Sequence, residues 1–77
     1  MEDAQQAVLE ELRVAGRKRG YIDAVHLAQK VGRPEAEVQV ALDTLKTNGL
    51  VRERRDVVPM GLPAWEITER GRRRLAQ

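Results

Sequence analysis

The stretch from Val38 to Arg54 constrains the fold most, because a helical pattern ends at a glycine and continues at once as a strand. Four apolar residues recur at the spacing i, i+3, i+4, i+7, which lays one stripe along a helix: Val38, Ala41, Leu42 and Leu45. Gly49 is a typical helix stop, and Leu50 and Val51 restart the chain as a strand. The strand that follows is rich in arginine. We therefore expect a helix joined directly to a basic hairpin.

Length and composition limit the class of protein. A chain of 77 residues with 42% hydrophobic and 34% charged residues predicts one small folded domain, 1–77. With no Phe, one Trp and one Tyr, the core must be aliphatic, which favours a mainly helical fold. The absence of Cys excludes disulfides and thiolate metal sites. The acidic, amphipathic N-terminal stretch lacks the apolar run of a leader or membrane span, so we expect a cytoplasmic protein.

Periodicity and capping residues predict seven elements. The first helix is capped by Asp3 and ends near Gly16, the second is capped by Asp23 and ends at Gly32, and Pro34 occupies the first position of the third. A fourth, basic helix is capped by Thr68, with Leu75 as its clearest buried contact. The order is helix 3–16, strand 21–22, helix 24–31, helix 33–48, strand 50–55, turn-rich connection 56–63, strand 64–68 and helix 69–77. In the last strand, Trp65 and Ile67 alternate toward the core.

Two segments carry a family resemblance. The passage from the third helix through Gly49, Leu50 and Val51 into a basic hairpin resembles bacterial winged helix-turn-helix regulators. The segment AWEITERGRRRL resembles the Y-x-L-T-x-x-G-x-x-x-L ending of repressors of the MarR (multiple-antibiotic-resistance) and PadR families. The resemblance spans roughly residues 21–75. It implies an α+β, mainly α fold: a winged helix-turn-helix with a three-helix core, a small antiparallel sheet forming the wing, and a short C-terminal helix.

The resemblance also implies a function and a set of binding residues. Such proteins are small transcriptional regulators that bind double-stranded DNA sequence-specifically, usually as homodimers, with the third helix in the major groove. On that helix we expect Gln39 and Thr44 to read bases, since a glutamine side chain can bind adenine through two hydrogen bonds. The expected phosphate contacts are Arg33, Arg52, Arg54 and Arg55. The first and fourth helices are the expected dimer seam.

An alternative function is a winged-helix module that binds protein or joins a larger complex. Its basis is the group of three carboxylates on the third helix, Glu35, Glu37 and Asp43, which would lie near a polyanion if that helix bound DNA. The apolar residues of the wing tip, Val57, Val58 and Met60, would extend this surface. Both functions stay open at the level of sequence.

The remaining polar features predict no catalysis. His26 is the only histidine, and a metal site needs three or four ligands. The chain has no serine and offers no pairing of a nucleophile with a base, so we expect neither an enzyme nor a cofactor. Half of its 14 Lys and Arg residues form two further clusters, 17–19 and 70–74. We expect the first cluster to reach flanking phosphates, and the second to be a solvated face or part of the dimer seam.

Overall fold

Four helices and a three-stranded antiparallel sheet make up the fold. The computed structural model describes residues 1–56 and 63–77. The elements are α1 (Asp3–Lys18), β1 (Ile22–Asp23), α2 (Ala24–Val31), α3 (Glu35–Thr47), β2 (Val51–Arg54), β3 (Ala64–Ile67) and α4 (Glu69–Ala76). This order confirms the predicted winged helix-turn-helix architecture. The predicted wing tip at residues 57–62 lies outside the described residues.

The first helix differs from its prediction at both ends. Glu2, whose backbone is extended, occupies the cap position, and Asp3 lies in the first turn, where its charge still complements the helix dipole. The helix continues past Gly16 to Lys18. A glycine inside a helix costs only about 1 kcal/mol, so it does not by itself end α1; a Cβ on Gly16 would make only an ordinary contact, 3.6 Å from the Ile67 side chain.

Three residues set the ends of α2 and the start of α3. Asp23 caps α2 as predicted, and its carboxylate accepts the backbone N–H of His26 at 2.9 Å. Gly32 ends the helix with φ of 68°, a left-handed conformation that favours glycine. Pro34 lies one position earlier than predicted, at the N-cap of α3, because its ψ of 143° is extended; its carbonyl accepts the N–H of Val38.

The sheet has the strand order β1-β3-β2, so β3 is central. Ile22 pairs with Trp65, which moves β1 one residue later than predicted. Both wing strands are shorter than predicted: β2 covers Val51–Arg54 and β3 covers Ala64–Ile67. The N–H of Leu50 bonds to Leu45 at the end of α3, and Thr68 caps α4.

The core lies between α1, α2, α3 and the sheet, where α1 packs against both other helices and β3. Trp65 and Ile67 are buried, which confirms the predicted alternation along β3. The largest fully buried side chains are Trp65, Leu9, Leu12, Leu27, Leu42, Leu45, Val8 and Val38. No helix in the described part of the chain is long and apolar enough to span a membrane.

The fourth helix is anchored through Thr68 and Gly71. The Thr68 hydroxyl accepts the N–H of Gly71 at 3.1 Å and donates to the carbonyl of Gly49 at 2.8 Å. Gly71 is buried, whereas Leu75, the predicted main contact, is only half-buried. A Cβ on Gly71 would lie 2.2 Å from the carbonyl oxygen of Leu50. In the T-x-x-G part of the motif, the threonine therefore caps α4 and the glycine lets the helix backbone lie against the carbonyl of Leu50.

Replacing Gly71 by alanine should destabilise the protein by about 1–3 kcal/mol, because the overpacking exceeds the roughly 1 kcal/mol by which alanine favours a helix. The matched control is Gly16→Ala, whose new methyl group meets only ordinary contacts. We expect this control to be neutral or stabilising by up to about 1 kcal/mol. Urea unfolding measures both, and equal effects at the two glycines would contradict the role of Gly71.

Replacing Asp23 by alanine should cost about 0.5–2 kcal/mol at neutral pH, through loss of the cap on α2. Partial burial raises the pKa of Asp23, but hydrogen bonds from the backbone and ring of His26 outweigh it and hold the pKa below its ordinary 3.8. A lowered folded-state pKa means that the charge stabilises the fold above pH 3.8 and that this contribution disappears as the pH falls through the folded pKa.

The measurement is urea unfolding of Asp23→Ala and the parent protein at pH 7 and at pH 3. The stability difference should shrink at the lower pH. Asp3→Ala removes a carboxylate from the first turn of α1, and as a control it should cost no more than about 0.5 kcal/mol. A difference for Asp23→Ala that does not change with pH would refute the charged cap.

Candidate nucleic-acid interface

The exposed face of α3 is the first part of the candidate site. Its apolar stripe is buried, so the opposite side of the helix is left to solvent. Val40 has the most exposed large apolar side chain of the described residues, at 66%. Gln39 and Thr44, the predicted base-reading residues, are both half-buried on the flanks of this face. The face therefore combines polar and apolar groups.

Contacts within α3 and from the residues just before it engage part of this face. The Gln39 amide donates to a carboxylate oxygen of Asp43 at 3.1 Å, one turn further along the helix. Arg33, a predicted phosphate contact, donates to Glu37 at 2.7 Å. Glu35 is exposed at the start of the helix. Each of the two predicted binding residues thus already has a carboxylate partner within the chain.

The arginines of β2 are paired in the same way. Arg52 lies opposite Glu66 in the sheet and donates from Nε to its carboxylate at 2.7 Å, with a second contact from the guanidinium. Arg54 lies on the same side of the strand, as predicted, and its guanidinium contacts Glu66 at 3.5 Å and Asp56 at 2.8 Å. Glu66 therefore holds two guanidiniums from one position on β3.

Charge on the described part of the wing is balanced. Arg55 donates to Glu53 at 3.0 Å, so three arginines face three carboxylates and their formal charges cancel. Hydrogen bonding to Asp56 raises the pKa of Arg54, and the same bond lowers the pKa of Asp56. Both groups thus stay ionised near neutral pH. Because most of these side chains reach solvent, a competing anion could displace the carboxylates at small cost.

Sequence reasoning missed Glu66. It expected Arg52, Arg54 and Arg55 to contact phosphates and assigned them no carboxylate partner across the sheet. The signal for Glu66 was the register that sets Arg52 opposite it. That register depends on how the chain turns between the two strands, and the connecting segment has no short hairpin signature from which it could be predicted.

Cations without a carboxylate partner lie elsewhere. Among the described residues, no acidic side chain comes within 4 Å of Arg70, Arg72 or Arg74 on α4, or of the cluster at residues 17–19. Arg73 pairs with Glu69 at 2.8 Å. The uncompensated positive charge of the described chain is therefore concentrated on α4 and at the end of α1 rather than on the wing.

His26 has a local partner. Its Nδ1 lies 2.6 Å from the carboxylate of Asp23, and the side chain is exposed at the start of α2. The described residues contain no group of three or more His, Cys, Asp or Glu side chains placed to hold a metal ion. The contacts of His26 thus belong to the cap of α2.

Comparison with solved structures identifies the fold. The transcriptional regulator BldR from Sulfolobus solfataricus superposes with a TM-score of 0.76 and 27% identity, over 92% of this chain and 50% of that one. ZitR, a zinc-responsive MarR family member from Lactococcus lactis, gives a TM-score of 0.79 and 19% identity, over 95% and 47%. A ZitR mutant solved in complex with DNA gives 0.69 and 20%, over 91% and 44%.

No family model and no curated protein sequence matches the chain. The chain spans about half the length of the structures that it resembles. Over nearly the whole length of this chain, however, its helices and wing strands are arranged as in those structures. The predicted resemblance is therefore confirmed in the structure: this chain has the winged helix-turn-helix fold of MarR-type transcriptional regulators.

Proposed function

We propose that this chain is the double-stranded-DNA-binding part of a cytoplasmic transcriptional regulator. The observation that carries the proposal is the exposed face of α3, which lies beside β2 with its two arginines, Arg52 and Arg54, and beside Arg55 directly after that strand. An α-helix fits the major groove of B-DNA, and the strands of a wing lie beside the adjoining backbone or minor groove. The likeness to a protein solved in complex with DNA supports DNA as the ligand.

In this proposal, side chains on α3 read the bases. Gln39 would exchange its bond to Asp43 for the edge of an adenine, and Thr44 would reach a phosphate or a thymine methyl group. Val40, at the exposed centre of the face, is a further candidate for contact with a thymine methyl group. The carboxylates of α3 would disfavour misplaced phosphates, which narrows the orientations that the helix can adopt.

Phosphate contacts would come from Arg33, Arg52, Arg54 and Arg55. Each would exchange a carboxylate for a phosphate oxygen on binding. An exposed ion pair contributes only about 0–1 kcal/mol, whereas each phosphate contact also releases condensed counterions. The exchange is therefore favourable at low salt. Before DNA binds, the ion pairs keep the wing electrically neutral.

We further propose that the regulator acts as a symmetric dimer. Two copies of α3 would enter successive major grooves one helical turn apart on a palindromic site. The seam would involve α1 and α4, and on α1 the exposed side chain of Val14 offers apolar surface. The chain spans about half the length of its structural neighbours, so the dimeric state of the whole protein is part of this proposal.

A second candidate function is a protein interface on the same face. The specific observation is Val40, 66% exposed and accompanied on α3 by Glu35, Glu37 and Asp43. An apolar centre with an acidic rim fits a basic partner. If duplex DNA fails to bind even at low salt, while Val40→Asp abolishes capture of a basic partner protein, this function replaces the first.

The double variant Arg54→Ala, Arg55→Ala should weaken binding to random-sequence duplex DNA and lower the salt dependence of log K by about 2, because each lost phosphate contact removes about 1 from the slope. Fluorescence anisotropy across a range of salt concentrations measures the slope. The matched control is Arg13→Ala, Arg72→Ala, which removes the same charge from α1 and α4, at residues outside the proposed DNA contacts. Equal slopes for the two variants would reject the wing contact.

Glu66→Gln should tighten binding to duplex DNA several-fold at low salt, since it keeps the shape of the side chain but releases Arg52 and Arg54 from their shared counter-charge. The control Glu10→Gln removes one negative charge from the exposed surface of α1 and should leave the affinity nearly unchanged. Anisotropy is again the measurement. Weaker binding by Glu66→Gln would mean that Glu66 positions the arginines and does not compete with phosphate.

A further inference from the structure

One face of α4 forms a basic cradle that the proposed wing and groove contacts do not use. Arg70, Arg73, Arg74 and Gln77 follow the spacing i, i+3, i+4, i+7, so they share one side of the helix. They line a depression of about 510 Å³. The other residues at its edge are Met1, which precedes α1, Gln5 in α1, and Asn48 and Leu50 in the turn between α3 and β2.

The backbone that carries this cradle is held rigidly. The close approach of Gly71 to Leu50 and the two hydrogen bonds of the Thr68 hydroxyl fix the start of α4 against the end of α3. Arg70 lies along Gly49, where an added Cβ would be 3.8 Å from both Cδ and a guanidinium nitrogen of Arg70. The first arginine of the cradle thus packs on a turn that is itself anchored.

Charge in the cradle is not balanced by the described residues. Glu69 pairs with Arg73, but both side chains are more than 70% exposed, so the pair is weak. Glu2 approaches the edge only through Gln5, whose amide donates to it at 3.3 Å. Arg70 and Arg74 have no carboxylate within 4 Å among the described residues. Three neighbouring guanidiniums repel one another, and a bound anion relieves that repulsion.

We propose that the cradle of Arg70, Arg73 and Arg74 binds a multiply charged phosphate group. Each guanidinium offers a planar fork of N–H donors that matches the spacing of phosphate oxygens. The side-chain amides of Gln5 and Asn48 supply further N–H donors at the edge. A single carboxylate has too few oxygens to engage three forks, whereas a pyrophosphate or a phosphorylated small molecule has enough. This site shares no residue with the proposed DNA contacts of α3 and the wing, and it lies beside the proposed dimer seam, which involves the same two helices, α1 and α4.

The test is a titration of the full chain with inorganic pyrophosphate, followed by the backbone amide NMR signals of Gly49 and Gly71 at constant ionic strength. We expect saturable shifts confined to α4, the end of α3 and the start of α1. The variant Arg70→Gln, Arg74→Gln should weaken binding by about tenfold or more, since it removes two charge-assisted contacts. The control Arg17→Gln, Lys18→Gln removes the same charge at the end of α1 and should change the affinity by less than about threefold.

Equal weakening in both variants would overturn the site, because it would mean a general attraction to positive charge. Shifts that never saturate, or that chloride reproduces, would overturn it as well. Urea unfolding of both variants confirms that they are folded. A final experiment adds duplex DNA to the pyrophosphate complex. If DNA displaces pyrophosphate, the cradle binds phosphates of the DNA backbone. If both bind at once, the cradle binds a free phosphorylated molecule. Failure of duplex binding alone leaves the pyrophosphate result intact.

Discussion

Burial of Trp65 is the contact on which both basic surfaces depend. The side chain is fully buried, and the strand that carries it, β3, pairs with β1 on one side and β2 on the other. Successive side chains of a strand point to opposite faces, so burial of Trp65 and Ile67 turns Glu66 outward. There it meets the arginines of β2. Directly after β3, Thr68 begins α4 and so determines where that helix lies.

Ion pairing determines which arginines are free to bind an anion without first losing a carboxylate partner. The net charge is only +2, and the described arginines of the wing are matched by carboxylates. A neutral wing of this kind attracts polyanions only weakly at long range. At short range its arginines must exchange carboxylate partners for phosphates. By contrast, the arginines of α4 are mostly uncompensated among the described residues and sit on a rigid support. These two surfaces therefore differ in how they would recognise phosphate, by exchange on the wing and by direct capture on α4.

Local patterns predicted the elements well and their ends less well. The caps at Asp23 and Thr68 were predictable, because each depends on a side chain bonding to an N–H three residues later. Gly16 was expected to end α1, yet the helix passes through it, since a single glycine costs a helix only about 1 kcal/mol. Gly71 was read as part of a motif, but its physical role required the position of the Leu50 carbonyl. The candidate residues on α3 and β2 could be named from sequence, whereas Glu66, the partner of Arg52 and Arg54 across the sheet, could not.

The sequence by itself determined the order of helices and strands, the apolar stripes that meet in the core, and the stop at Gly49 that joins α3 to the wing. These depend on periodicity and on the conformational preferences of single residues. Only the tertiary structure decided that Glu66 joins Arg52 and Arg54, and that α1, the end of α3 and α4 meet around three arginines. Both arrangements bring together residues far apart in the chain, and their geometry follows from strand register and helix docking, which short-range patterns do not encode.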